Sequence, residues 1–216
     1  MRKCSVASPV GLPDLKRLAK GGIGSCFSIF TGDITRLQVD AIVNAANDGC
    51  LGGGGVDKAI HVAAGPLLRR ECATFPGCES GHARITKGYN LPAKFVIHTV
   101  GPKGKNQPKT LTGCYRNSLE LAKRHNLRSI AFCSISTGAY GYPEGEAAHI
   151  AIQTALEVVA DPSNQIEHVC FVCFNASKEK TYAAVFQKLY KQFLAARPPP
   201  ASEEVSGDIA KDVDLL

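Results

Sequence analysis

Asp40–Gly65, DAIVNAANDGCLGGGGVDKAIHVAAG, is the stretch on which the fold turns. Ala41, Ile42 and Val43 form an apolar run that ends in two asparagines, Asn44 and Asn47. Four consecutive glycines, Gly52, Gly53, Gly54 and Gly55, then lead into a helix-like segment from about Val56 to Ala64. Asp57 and His61 lie one helical turn apart and so share a face. The pattern is strand, glycine loop, helix. Such a loop lets backbone N–H groups approach a ligand closely, and the helix N-terminus behind it favours anions, so the first expectation is a phosphate site. Asp57 fits that site poorly, because a carboxylate repels an adjacent phosphate. It is expected to face a neutral part of the same ligand or the water that attacks it.

Outward from this stretch, strands and helices alternate. SCFSIFTGDIT (Ser25 to Thr35) alternates and stops at Gly32, as a strand and turn do, with Asp33 and Ile34 just beyond. Gly65 and Pro66 end the first helix and a second short one, Leu67 to Cys72, follows. Ala83 to Tyr89 and Lys94 to Val100 read as strands, and Leu111 to His125 as a helix. Ser129 to Ile135 is a continuous apolar run, as expected of a strand covered on both faces. A second small-residue loop, STGAYGYP, precedes a helix from about Glu144 to Ala160. Val169 to Phe174 and Lys178 to Ala195 supply a final strand and helix. The alternation argues for an α/β fold with a mixed or mostly parallel sheet. Ligands of such sheets bind outside the carboxyl ends of the strands. Asp33, Asn44, the Gly52 loop, the Ser136 loop and Asn175 all follow predicted strands, so one cleft is expected to collect them.

At 216 residues the chain suits one domain with tails. The expected division is a basic extension over 1–24, a domain over 25–196 and an acidic, disordered segment over 197–216. Net charge is +6, but residues 201–216 hold five acids against one lysine, leaving +10 on the rest. A basic body fits an anionic partner; solvated Lys and Arg on helix faces are the alternative. A nucleic-acid partner is not expected, because no basic stripe carries interleaved aromatics. No apolar run approaches the roughly 18–20 residues that cross a bilayer, so no membrane partner is expected either. The lead-in has no long apolar run and reads as no secretory signal; Pro9, Gly11 and Pro13 interrupt it, with a mitochondrial presequence as the alternative to a loosely docked extension. Nine cysteines, an odd number, lie in apolar segments, pointing to a reducing compartment, cytoplasmic or nuclear. A monomer is expected. Cys170 and Cys173 form a CxxC in a predicted strand, where residues three apart face opposite ways, so no metal is expected there.

Taken in order, GDIT, VDAIVNAAN, GGGGVDKAIH, YNLPAKFVIHTVGP and STGAYGYP resemble the macrodomain family, in particular its MacroD-type branch. The resemblance runs from about Ser25 to Leu194. It implies a three-layer α/β/α fold that binds ADP-ribose. For the MacroD-type branch it further implies removal of mono-ADP-ribose from acidic side chains of proteins and deacetylation of O-acetyl-ADP-ribose, with no cofactor. Carried over by position, it implies that Asp33, with Ile34 beside it, accepts from the adenine amino group, and that Phe174, before Asn175, packs on adenine. It implies that Ala45 and Ala46 line the ligand, and that the diphosphate is clamped by backbone amides of Gly52, Gly53, Gly54, Gly55 and Val56 on one side. Ile135, Ser136, Thr137, Gly138, Ala139, Tyr140 and Gly141 form the other side.

Asn47, Asp57 and His61 are then the catalytic set around the distal ribose: Asn47 bonds a ribose hydroxyl, Asp57 orients or activates water, and His61 orients Asp57. Each has a plainer alternative, as a turn residue, a helix-start carboxylate and a helix-surface residue. The absence of GxxxxGK[ST] speaks against a P-loop nucleotidase. Without two flanking carboxylates, positioning one water and stabilising charge on the sugar are expected to suffice, with a substrate phosphate assisting. A module that only binds ADP-ribose is the alternative, and it has no need of a water-orienting group.

Overall fold

The computed structural model describes residues 16–19 and 22–196. The acidic segment 197–216 and most of the basic lead-in lie outside these residues. Each apolar run of the sequence becomes a strand: β2 (Phe27–Thr31), β3 (Ala41–Ala45), β4 (Ala83–Lys87), β5 (Phe95–Thr99), β6 (Ser129–Cys133) and β7 (His168–Cys173). A two-residue strand, β1 (Lys16–Arg17), pairs with β2 ahead of the first predicted one. The helices are α1 (Gly55–Ala64), α2 (Pro66–Cys72), α3 (Pro108–Arg124), α4 (Glu144–Val159) and α5 (Ala176–Ala195).

The sheet runs β1-β2-β7-β6-β3-β5-β4. The five inner strands are parallel, and β1 and β4 add antiparallel edges. This is the mixed α/β sheet expected from the alternation, and its inner strands are largely apolar because helices cover both faces. The pleat shows the layering. His98 of β5 points to Cys72 of α2, and the next residue, Thr99, meets Cys114 of α3. α1 and α2 therefore cover one face, and α3, packed on α4 and through it on α5, covers the other. On that second face Phe27 stacks on Phe171 at 6.4 Å and tilts against Phe186 of α5 at 5.4 Å. All three rings are essentially fully buried, each contributing about 1.5–3 kcal/mol.

Asp40 ties the strand beginnings together. It pairs with Lys94 at 2.8 Å and accepts from the backbone N–H groups of Arg128 and Ser129 at 2.9 and 3.0 Å, aligning β3, β5 and β6. Their carboxyl ends then finish level, and the loops that follow share one edge. Across that edge, in sheet order, come Asp33 after β2, Phe174 after β7, the Ser136 loop after β6 and the glycine loop after β3. Among the described residues no helix is long and apolar enough to cross a membrane.

Candidate functional site

A cleft of about 950 Å³ runs along this edge. Its volume lies within the roughly 300–1,000 Å³ of small-molecule sites. Asp33 and Ile34 border it at the β2 end, with Phe174 beside them, 87% exposed. At that exposure the ring is not part of the core. Asp33 caps the 3-10 turn Ile34–Arg36, and both bonds, from Thr35 N and Thr35 Oγ1 at 2.9 and 2.8 Å, end on Oδ1. Turn-forming and ligand-accepting roles are thus compatible in one carboxylate.

The middle of the cleft is walled by two loops. Gly53, Gly54, Gly55 and Val56 lie on one side, and Ser136, Thr137, Gly138, Ala139 and Tyr140 on the other. Among the described residues, the backbone N–H groups of Gly53, Gly54, Gly138, Ala139 and Tyr140 find no acceptor. Two rows of amides without acceptors thus border one space, one of them at the N-terminus of α1, an arrangement suited to an anion. Gly55, at φ 58°, turns the chain into α1 through the left-handed region. Ser136 also has positive φ, 64°, and its buried hydroxyl lacks a partner where it borders the cleft. Lys178 brings a cation to this wall: its ammonium donates to Thr137 Oγ1 at 3.0 Å and pairs with Glu144 at 3.3 Å. A lysine in the first turn of a helix runs against the macrodipole, and that anomaly was the signal by which sequence could have found it.

At the β3 end, Ala45, Ala46, Asn47 and Asp57 line the cleft. Asp57 is 2% exposed and its Oδ1 accepts from Asn44 Nδ2 at 2.7 Å. Burial raises its carboxyl above the ordinary 3.8; the Asn44 bond and His61 pull the other way without cancelling that. Its Oδ2 turns toward the glycine loop, 2.9 Å from where a Cβ on Gly53 would sit, and Asn47 Nδ2 is 3.1 Å from the same point. Only a residue without a Cβ leaves this corner open. Asn47 Nδ2 also donates to Gly52 O at 3.1 Å, fixing the loop.

Behind Asp57 lies a support that the motifs do not announce. A carboxylate only accepts, so Asn44 must present its amide N–H to it. The other N–H of that amide faces His98 Nδ1 at 3.1 Å, which places the His98 proton on Nε2, 3.0 Å from Thr86 Oγ1. Burial lowers His98 to about 3, so the ring stays neutral. Asn44 Oδ1 is left buried without a partner, at a cost of about 1–3 kcal/mol, so the amide's orientation is dictated by Asp57.

His61 sits 3.4 Å from Asp57 Oδ1 through Nε2, without a hydrogen bond. Burial lowers its pKa and so does Arg69, against the attraction of Asp57 and a bond to the Cys50 backbone. It touches Asp57 from behind. His61 and Gly52 border a second hollow rather than the cleft. The expected single cleft needs correction at other positions too. Ile135 is fully buried beneath its loop, and Gly141 turns away from the cleft. Asn175 caps α5, accepting from Lys178 N at 3.0 Å, and Asn44 stands behind the site. Conversely Gly32, Ala59, Gly101, Ser134 and Val172 border the cleft without having been expected there.

His61, Cys72 and His98 bring ligand-type atoms within 4.8 Å of one another. Both His98 nitrogens are already hydrogen-bonded, and burial pushes the Cys72 thiol up to about 11, which disfavours the thiolate a metal needs. The cluster is the underside of Asp57.

Residues 43–151 match the Macro domain family model. The chain is 60% identical over 147 residues to a Macro domain-containing protein of Chlorobaculum tepidum, covering 66% of this chain and 85% of that one. It is 50% identical over 168 residues to the ADP-ribose glycohydrolase MACROD2 of Mus musculus, covering 76% of this chain and 35% of that protein. The chain thus spans about a third of the length of that mouse relative. The crystal structure of the Trypanosoma brucei macrodomain in complex with ADP-ribose superposes with a TM-score of 0.77 at 49% identity, covering 84% of this chain and 78% of that one.

Proposed function

Because this chain belongs to the Macro domain family, and because its cleft ends on a buried carboxylate, we propose that it binds ADP-ribose and hydrolyses it from acidic side chains of proteins. The same site would deacetylate O-acetyl-ADP-ribose. The observation that carries the reading is Asp57: one oxygen held by Asn44, the other turned to the mouth beside Gly53 and Asn47.

In this reading the ligand lies along the sheet edge in the order of the loops. Adenine lies at Phe174 with its amino group on Asp33. The diphosphate lies between the two rows of amides, and the distal ribose lies against Asn47 and Asp57. The bond to be broken joins the anomeric carbon to a carboxylate oxygen. Water adds at one side of that bond as the carboxylate leaves, taking the bonding pair, and the water's proton passes to a base. A carboxyl raised by burial is a better base near neutral pH than an ordinary one, and Oδ2 is the oxygen that faces the water's position. The leaving carboxylate is already a stable anion, so no strong general acid is required. Holding water and sugar in line supplies much of the acceleration, and the distal phosphate, fixed by the loops, can share the proton.

The test is release of ADP-ribose from a protein mono-ADP-ribosylated on glutamate, run beside O-acetyl-ADP-ribose and a serine-linked substrate. Release from the first two and little from the serine ether is expected. Micromolar ADP-ribose binding without any release would identify a binding module instead.

A further inference from the structure

Beside the cleft lies a hollow of about 530 Å³ lined by residues of α1 and α2 and the loops around them. The two spaces share Gly53, and His61 stands between them with its ring against Asp57 and its edge on the hollow. The rim carries Lys58 of α1 and Arg69 of α2, both exposed, and neither has an acidic partner among the described residues. Arg69 is near enough to disfavour protonation of His61. Leu51 and Val62 complete the wall at 39% and 72% exposure, and Leu67 is a further exposed apolar side chain on α2.

We propose that this hollow docks the polypeptide that carries the modified side chain, and that it prefers acid-rich sequence around the modification. The inference rests on the hydrolase reading above, in which everything beyond the distal ribose is protein. That protein leaves the cleft at the Asp57 end, where Lys58 and Arg69 offer two unpaired cations and Leu51 and Val62 an apolar floor. Acidic residues flanking a modified glutamate meet the cations, while their aliphatic stems and neighbours cover the floor. ADP-ribose itself and O-acetyl-ADP-ribose do not reach this surface.

The experiment compares kcat/KM on two glutamate-linked mono-ADP-ribosylated peptides, one flanked by three acids on each side and one by glutamines, with O-acetyl-ADP-ribose as the peptide-free control. The full chain is expected to favour the acidic peptide by about tenfold, the sum of two exposed charge contacts, and to lose that preference in high salt. A Lys58→Glu, Arg69→Glu double variant is expected to bring the two peptides within about twofold of each other, with each rate taken relative to O-acetyl-ADP-ribose turnover, which reads any effect of the Arg69 change on His61. Equal turnover of both peptides by the unaltered chain would overturn the proposal, as would a preference that survives the double variant. If neutralising the acids of residues 201–216 accelerates both peptides alike, the hollow belongs to the chain's own acidic segment and the proposal falls. No release from either peptide would overturn the hydrolase reading itself and this inference with it.

Discussion

Replacing Asn44 by leucine removes the amide while keeping most of its volume, and so separates the support of Asp57 from the cleft itself. Asn44 does not border the cleft, so ADP-ribose affinity is expected to stay within about threefold. The lost bond, 2.7 Å from amide to carboxylate, is of the charge-assisted kind worth about 1.5–3 kcal/mol. If that energy holds Asp57 in its working position, turnover falls about 10- to 150-fold, at about 1.4 kcal/mol per decade. The pH dependence has a definite sign. Asn44 lowers the Asp57 pKa against the raising effect of burial, so its removal moves the acid limb of the kcat profile to higher pH. Stability follows the same linkage: a carboxyl raised in the folded state favours the fold below its ordinary 3.8 and loses that contribution as pH rises through the folded value. The variant should therefore lose stability relative to the parent as pH rises from acid to 7. The assay is single-turnover release of ADP-ribose across pH, with calorimetric ADP-ribose binding as control. A fall of less than twofold with an unmoved acid limb would refute the support role.

Asp57→Asn should lower turnover by about 100-fold or more, the reach of one general base, while raising the melting temperature at pH 7. The isosteric amide removes the cost of a buried charge, and since that cost vanishes below the ordinary carboxyl value, differential scanning calorimetry should find the gain shrinking toward pH 3.8. Gly53→Ala places a Cβ 2.9 Å from Asp57 Oδ2 and 3.1 Å from Asn47 Nδ2, so steady-state kinetics should record about a 10- to 100-fold loss in kcat, more than any loss in ADP-ribose affinity. Phe174→Ala should weaken ADP-ribose binding by about 5- to 150-fold, the 1–3 kcal/mol of one base-stacking contact. With the ring 87% exposed, thermal unfolding should barely change.

Several elements were legible from the glycine and proline at their ends: Gly65 and Pro66 separate α1 from α2, and Gly101 and Pro102 close β5. What the sequence left unread is short or distant. β1 has two residues and no periodicity to detect, and it is specified by its pairing with Ile29 and Ser28. In the site, the local residues were readable: Asn47, Asp57 and the glycines belong to one continuous stretch whose chemistry is strand, loop and helix. Asn44 was visible in that stretch but its purpose was not, because its partner His98 lies 54 residues away and meets it only through the β3–β5 register. Lys178 likewise reaches Thr137 across 41 residues, from α5 to the loop after β6. Asn175 caps α5, as an asparagine after a strand readily does, and does not border the cleft. Ile135 and Gly141 sit within the right loop, but Ile135 is buried beneath it and Gly141 does not border the cleft.

The central claim is a direction: adenine at the β2–β7 end, diphosphate between the two loops, distal ribose at Asp57. A crystal structure of this chain with ADP-ribose tests it most directly. The account predicts the adenine amino group within hydrogen-bond reach of Asp33, phosphate oxygens on the amides of Gly53, Gly54 and Gly138 to Tyr140, and the anomeric carbon beside Asp57 Oδ2. A ligand lying the other way, or one whose distal ribose stays clear of Asn47 and Asp57, would contradict it.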